Sequence, residues 1–107
     1  MRWTVEVLSA TVAAEIAALP QDMGARLARF VHVIQDFGFE ALPRDSVKHL
    51  DGKLWELRMT GRDGISRAIY VTASGRRVVI LRVFVKKTQK TPQRELEIAR
   101  QRAKDVT

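Results

Sequence analysis

A dense run of positive charge follows the most apolar stretch of this sequence. Between Arg76 and Arg94 there are seven lysines or arginines and no aspartate or glutamate. Three of them, Lys86, Lys87 and Lys90, lie in the polar connection that follows the apolar stretch. Ammonium and guanidinium groups hold phosphate oxygens by charge-assisted hydrogen bonds. The sequence therefore predicts a phosphate-binding rim here, with solvated lysines that only keep the protein soluble as the alternative.

The elements on either side of this rim would hold it in place. Residues 78–85 are apolar except for Arg82, which is typical of a central strand covered on both faces of a sheet. After the lysines, Thr91 and Pro92 suit the N-cap and first turn of a helix. Arg94 would then lie in that first turn, close to backbone N–H groups that also accept phosphate.

Composition limits the class of protein. With 107 residues and 46% apolar content, residues 1–107 form a single domain. Cysteine is absent and there are two histidines, so we expect no disulfide, no metal site and no cofactor. The net charge is +7, and ten of the 19 basic residues lie in the last 32 positions. This asymmetry predicts a polyanionic partner, with nucleic acid ahead of an acidic protein and of an anionic membrane.

The N-terminus gives no targeting or membrane signal. Glu6 interrupts its short apolar stretch, and no run approaches the roughly 20 apolar residues that a membrane span needs. We expect a soluble, unprocessed, cytoplasmic protein without a membrane partner.

The first forty residues predict one strand and two helices. Residues 2–8 alternate between apolar and polar, and Ser9 can cap a helix that Pro20 ends. A second helix begins near Asp22 and ends at Gly38, which we expect in αL geometry. The apolar stripe of the second helix consists of Met23, Leu27, Phe30, Val31, Ile34 and Phe37.

The rest of the chain predicts an antiparallel meander and a last helix. Residues 39–51 show no period, so we interpret them as a connection. Strands follow at 54–59, 67–73 and 78–85, and a basic helix over 92–104 ends the chain. The predicted order is β-α-α-β-β-β-α, an α+β fold whose mainly antiparallel sheet is covered by the two N-terminal helices.

Several phrases of the sequence resemble a known family. They are D-G-K-L-W-E-L-R, G-I-S-R-A-I-Y, and V-F-V-K-K-T-Q-K-T-P ahead of the helix R-E-L-E-I-A-R-Q-R-A. Together with the element order, they are similar to the HigB-like, phage-related branch of the RelE/ParE toxin superfamily. The resemblance is strongest from Leu54 to Arg102. It implies a RelE-like fold and a toxin that cleaves messenger RNA in the ribosomal A site, without a small-molecule substrate, and that a helix-turn-helix antitoxin inhibits.

The resemblance also implies roles for individual residues. The arginine of the G-x-x-R-x-x-Y phrase falls on Arg67, at the start of a predicted strand, and would stabilise the transition state with Lys87 and Lys90 as further catalytic residues. Arg58 and Lys86 would bind RNA phosphates. Arg94, from its place in the first turn of the last helix, is a further phosphate-binding candidate. One of the lysines, crowded by like charges, could carry a proton if its pKa were lowered. Relatives often place a tyrosine or histidine in or just before the last helix, whereas residues 92–107 contain neither.

Four other side chains that could do chemistry are better explained by packing. Tyr70 and Trp55 lie mid-strand, where the period of two favours the core over catalysis or base stacking. His32 lies off the apolar stripe of its helix, and His49 lies in the predicted connection, so both are interpreted as surface or loop residues.

Two other functions stay open on the sequence alone. A ParE-like toxin poisons DNA gyrase by binding, without nuclease activity, and a non-catalytic nucleic-acid-binding module needs only the positive charge. For the antitoxin, we expect docking on the two N-terminal helices, with direct masking of the lysines as the alternative.

Overall fold

A five-stranded sheet with helices on both faces forms the fold in the computed structural model, which describes residues 2–86 and 90–107. The strand order is β1-β5-β4-β3-β2, and the pairing is antiparallel except between β1 and β5. The elements are β1 (Thr4–Val7), α1 (Ala10–Ala17), α2 (Gln21–Phe37), β2 (Val47–Asp51), β3 (Leu54–Gly61), β4 (Gly64–Ala73), β5 (Arg77–Lys86) and α3 (Gln93–Ala103). The predicted α+β class and the meander of β3, β4 and β5 are confirmed.

Helices α1 and α2 cover one face of the sheet. The Ser9 hydroxyl accepts a hydrogen bond from the Val12 N–H and caps α1 as predicted. The apolar stripe of α2 packs on the sheet, except that Phe37 is 71% exposed and so was wrongly placed in the core. Gly38 ends the helix with φ +86° and ψ 178°, a conformation that favours glycine but is not the αL geometry we expected. The buried residues on this face are Val12, Met23, Leu27, Phe30, Ile34, Leu42, Leu57, Met59, Ala68, Tyr70, Val78, Ile80 and Val83.

Helix α3 covers part of the other face. Leu96 and Ala99 pack against buried residues of β3, β4 and β5, as their spacing in the sequence predicted. Strand β5 is therefore apolar toward both faces, and it lies inside the sheet, although β4 is the central strand. Among the described residues, no helix is long and apolar enough to cross a membrane.

The segment interpreted as a connection contains a fifth strand, so that interpretation was wrong. Residues 39–46 form two short 3₁₀ helices, Phe39–Ala41 and Arg44–Ser46. Val47–Asp51 then pairs with β3, with Val47 opposite Leu57. Val47 packs on the α1–α2 side and Leu50 on the α3 side, while the other three residues are exposed, so no apolar period marks this strand in the sequence.

Side chains satisfy the edge of β5 where its partner strand ends. Strand β1 pairs with β5 only as far as Ile80. Beyond that point, Glu15 of α1 accepts a hydrogen bond from the Val83 N–H at 3.0 Å, and Arg102 of α3 donates to the Leu81 carbonyl at 2.8 Å. The helices on the two faces of the sheet, α1 and α3, are thereby both bonded to the same edge of β5.

Glu15 also joins two arginines at this edge. Its carboxylate lies 2.7 Å from Arg82 and 2.9 Å from Arg102, and Arg82 bonds Glu95 at 3.0 Å. Burial raises the pKa of Glu15, but the Val83 N–H and the two guanidinium groups outweigh it and hold the pKa below its usual range. The cluster therefore stabilises the fold in the ionised state of Glu15.

We predict that Glu15→Gln lowers the free energy of unfolding at neutral pH by about 1–3 kcal/mol, the scale of hydrogen bonds to a charged group. A carboxylate whose folded pKa is depressed contributes stability above its unfolded pKa, near 4.3, and loses it as the pH falls through the folded value. The difference between wild type and variant in urea denaturation should thus shrink below about pH 4. The control is Glu6→Gln, which removes an exposed pair with Arg77 and should cost under about 1 kcal/mol. An equal loss in both variants at every pH would contradict this role of Glu15.

The β3–β4 hairpin approaches the start of α2 closely at Gly61. The predicted turn is confirmed, because Gly61 pairs with Gly64. Asp22 accepts hydrogen bonds from the Met23 N–H at 2.9 Å and from the Arg62 N–H at 2.7 Å. A Cβ atom on Gly61 would lie 2.7 Å from Met23 Cγ and 2.9 Å from Asp22 Oδ2, so this close approach requires glycine.

We predict that Gly61→Ala destabilises the protein by about 1–3 kcal/mol, because the fully buried Met23 cannot move away without strain. Gly24→Ala is the matched control, since Gly24 lies in the first turn of α2 and a Cβ there meets nothing within 4 Å. It should stabilise the protein by about 0.5–1 kcal/mol through helix propensity. Urea denaturation of both variants tests the pair, and a stabilising Gly61→Ala would show that the hairpin does not rest on α2.

Candidate functional site

A buried glutamate, Glu56, lies at the centre of a cluster of cations on the α3 side of the sheet. Its side chain is 0% exposed. One carboxylate oxygen accepts a hydrogen bond from the Thr91 hydroxyl at 2.8 Å, and the other accepts from Arg67 Nη1. Arg58 Nε lies 3.8 Å from the same oxygen as Arg67. A carboxylate in this position is tolerated because it is both hydrogen-bonded and paired.

Sheet register brings these groups together from neighbouring strands. Side chains two apart on a strand share a face, which places Glu56 and Arg58 together on β3. Across the sheet, Lys48 of β2 is opposite Glu56, and Arg67 of β4 lies between Arg58 of β3 and Phe84 of β5. Lys86 follows Phe84 two positions later and so lies on the same face. The cluster is built from four strands.

Arg67 does not lie at an exposed strand end, as the sequence suggested. Its side chain is 1% exposed, because β4 begins three residues earlier, at Gly64, and Arg67 is an internal strand residue. The predicted pattern started the strand too late, since Gly64, Ile65 and Ser66 gave no clear alternation. The guanidinium group is therefore a fixed buried charge held by Glu56.

Lys86 is buried as well, although it was expected on an exposed rim. The residue is 6% exposed, and its Nζ has no hydrogen-bond partner within the described part of the chain. Burial and the nearby Arg67 charge lower the pKa of the Lys86 amine, and Glu56 only partly opposes them. Lys86 therefore loses its proton more easily than a solvated lysine.

The remaining predicted residues lie along the segment that leads into α3. Lys90 and Arg94 are exposed, and Lys87 lies outside the described residues. Thr91 was expected to cap the helix, but α3 begins at Gln93 without a side-chain cap, and the Thr91 hydroxyl bonds Glu56 instead. That bond holds Thr91, and with it the start of α3, against the sheet.

The cluster has more positive charge than one carboxylate can neutralise. Glu56 faces two arginines, Arg58 and Arg67, together with the Lys86 amine, and the exposed Lys48 lies near enough to act on the Lys86 pKa. Among residues 2–86 and 90–107, no group of three histidine, aspartate or glutamate side chains could hold a metal ion. The arrangement suits a polyanion such as a phosphate backbone.

Other candidate residues lie away from this cluster. Tyr70 packs on the opposite face, stacked on Phe39 with ring centroids 5.5 Å apart, and burial raises the pKa of its phenol. On that same face, the His49 and Trp55 rings lie with their centroids 4.8 Å apart. Trp55 was predicted to lie in the core, but it is 38% exposed. His32 is exposed and pairs with Asp36 on α2.

Sequence reasoning missed Glu56, Thr91 and Lys48 as members of the cluster. Alternation along β3 places the Glu56 side chain on the other face of the sheet from the buried Leu57 and Met59, and this suggested that Glu56 is solvated. The signal that could have identified it is Leu54, which is also buried and shares its face, so that β3 is apolar toward both sides at its start. A charged residue in a strand covered on both faces implies a buried partner.

Comparisons with known proteins agree on family and fold. The model of the family described as phage-derived protein Gp49-like matches residues 14–104. The structure is similar to that of the RelE–RelB complex from Pyrococcus horikoshii OT3, with a TM-score of 0.52 and 22% identity over 79% of this chain and 96% of that chain. It is also similar to a mutant of the Escherichia coli toxin RelE in the free state, with a TM-score of 0.56 and 12% identity over 100% of both chains. No curated protein matches the sequence. The RelE-like fold is thus confirmed.

We predict that Glu56 and Arg67 are strongly coupled in stability. Glu56→Gln or Arg67→Met alone leaves a buried charge without its partner and should cost about 3–5 kcal/mol, whereas the double variant should cost clearly less than the sum. The same cycle on the exposed Asp51–Arg100 pair, with Asp51→Asn and Arg100→Met, should give a coupling below about 1 kcal/mol. Urea denaturation measures all of these variants, and additive losses at Glu56 and Arg67 would contradict the buried pair.

Proposed function

Because the chain belongs to the phage-derived Gp49-like family and shares its fold with RelE toxins, we propose that it is the toxin of a type II toxin–antitoxin system. In this proposal it is a metal-independent endoribonuclease that cleaves messenger RNA in the ribosomal A site. The observation that supports it is the Glu56 cluster, where Arg58, Arg67 and Lys86 surround a single carboxylate. A sheet face with this excess of positive charge suits RNA phosphates.

Cleavage of RNA without a metal ion requires three catalytic functions from the protein. The 2′-OH must lose a proton, the phosphorane must be stabilised, and the departing 5′-oxygen must gain a proton. We assign phosphate contacts to the accessible cations Arg58, Lys90 and Arg94. Arg67 contributes its positive charge from below the surface, since the buried guanidinium is fixed before substrate arrives and so costs no reorganisation.

Proton transfer is assigned to the lysines. A lysine can accept a proton only as the neutral amine, and burial beside Arg67 shifts Lys86 toward that form. Lys86 is accordingly our candidate for the base that activates the 2′-OH. Lys87 and Lys90 then remain the candidates for protonating the 5′-oxygen. No tyrosine or histidine of residues 92–107 competes for the role.

The toxin would be made together with an antitoxin. The similar archaeal structure is a RelE–RelB complex, which supports an antitoxin as the partner of this chain. We propose that this antitoxin is a helix-turn-helix protein. We propose docking on the outer faces of α1 and α2, because Ala13, Ala14 and Ala17 are exposed on α1 and His32 is exposed on α2. This surface lies on the other side of the sheet from Glu56. The proposed substrate, translating messenger RNA, places the protein in the cytoplasm.

Arg58→Ala should reduce messenger RNA cleavage by on the order of 10²- to 10³-fold, the effect of losing one donor aimed at developing charge. Arg58 is 26% exposed, so it can reach a phosphate. Arg62→Ala is the control, because this exposed arginine in the next turn removes the same charge outside the cluster. The measurement is the mapping of new messenger RNA 5′ ends after induction in cells, with purified ribosomes as the second assay.

The same experiment separates the rival functions. Codon-phased cuts that Arg58→Ala abolishes and Arg62→Ala preserves would support the nuclease. Changes in DNA supercoiling without new 5′ ends would instead indicate a gyrase poison. If neither appears while ribosomes or nucleic acid are still bound, the protein is a non-catalytic binder.

A further inference from the structure

The outer edge of β3 is open next to the Glu56 cluster. Strand β2 begins at Val47, which lies opposite Leu57, so in the described part of the chain residues 58–61 have no strand on that side. The 3₁₀ helix Arg44–Ser46 and helix α2 lie beside this stretch instead. A gap in the sheet edge therefore leads from the α2 side of the sheet to Arg58.

Two adjoining cavities occupy this gap. The larger, about 620 Å³, lies between α2 and residues 41–43, and the smaller, about 330 Å³, reaches Arg58 and Thr60. They share Arg26, Phe30 and Pro43 as lining residues, so they form one continuous depression, called here the edge groove. One end of the edge groove opens on α2, and the other ends at the arginine that lies 3.8 Å from Glu56.

The arginines of the edge groove differ from those that stabilise the fold. Arg77, Arg82, Arg100 and Arg102 each have a carboxylate partner within 4.0 Å. In contrast, the exposed Arg26, Arg29 and Arg44, all on the groove, have no such partner among the described residues. The fold does not use these three charges.

Two aspartates also line the edge groove, and they do not neutralise it. Asp22 is engaged by backbone N–H groups, and the hydrogen bond from Arg62 chiefly lowers its pKa, so it stays ionised and occupied. Asp45 lines the smaller cavity together with Arg44, its neighbour in the sequence. Four arginines against two aspartates leave the groove positive along its length.

We infer that the edge groove binds the phosphates of single-stranded RNA that flank the cluster around Glu56. This inference rests on the proposed function, because it makes the groove an extension of the same site. The planar fork of arginine suits phosphate, and the groove meets the cluster at Arg58, where one strand of RNA can pass from one to the other. An acidic protein segment would also meet these arginines, but it would gain nothing from the continuity with Glu56.

The test is the binding of fluorescently labelled single-stranded RNA to the purified protein, measured by anisotropy at several salt concentrations. Wild type should bind an oligonucleotide of about 12 nucleotides more tightly than one of about 4, since only the longer one spans the groove. In Arg26→Ala/Arg29→Ala/Arg44→Ala this advantage should disappear, and the slope of log affinity against log salt should fall by about 2. The triple lysine variant at the same positions should recover most of the slope, because it keeps the charge.

The control variant is Arg2→Ala/Arg76→Ala/Lys104→Ala, which removes three exposed cations that do not line the edge groove. Both triple alanine variants lower the net charge from +7 to +4, so a general charge effect would be equal in the two. Urea denaturation confirms that each is folded. Equal losses, or unchanged binding in the groove variant, would overturn the inference.

Failure of this inference can be told apart from failure of the proposed function. RNA binding is measured on the isolated protein and does not depend on cleavage. A wild type that cuts messenger RNA while the groove variant binds RNA like the control would refute the groove alone. A groove variant that binds RNA normally but loses affinity for the antitoxin would likewise refute it and assign the groove to the partner protein.

Discussion

The Glu56 carboxylate is the constraint on which this site depends. It lies fully buried beside Arg67, and the Thr91 hydroxyl donates to it from the segment that precedes α3. One side chain thus fixes an interior arginine and holds Thr91 at the sheet. Without that negative charge, Arg67 and Lys86 would lose the buried carboxylate that opposes their positive charge, which the low dielectric of a protein interior makes costly.

Burial changes what each cation of the cluster can do. An arginine remains charged when buried, so Arg67 can serve only as a fixed positive charge. A lysine loses its proton more easily under the same conditions, so the buried Lys86 gains a possible acid–base role that exposed lysines lack. The accessible cations, Arg58 among them, are left to contact phosphate. One sheet face can in this way combine binding, charge stabilisation and proton transfer using only lysine and arginine.

The arginines of this small protein fall into two groups, those that pair with carboxylates to stabilise the fold and those that remain exposed without such a partner within the described residues. The paired arginines occur where an element must be fastened, as at Glu15, which joins α1 and α3 to the unpaired edge of β5. Three arginines of the edge groove, Arg26, Arg29 and Arg44, have no carboxylate partner within the described residues. A net charge of +7 therefore does not describe an evenly basic surface.

The sequence by itself determined the elements whose signal is local. Period and capping residues were enough for α1, α2, the β3–β4 hairpin and the apolar β5, and the family phrases indicated the RelE-like fold. The sequence did not reveal β2, whose residues have no clear period, or the burial of Glu56, Arg67 and Lys86. Those depend on which strands become neighbours and on what covers each face, because a polar side chain is stable inside a sheet only when partners distant in sequence meet it. Tertiary structure alone decided that the charged residues predicted for a rim belong partly to the interior.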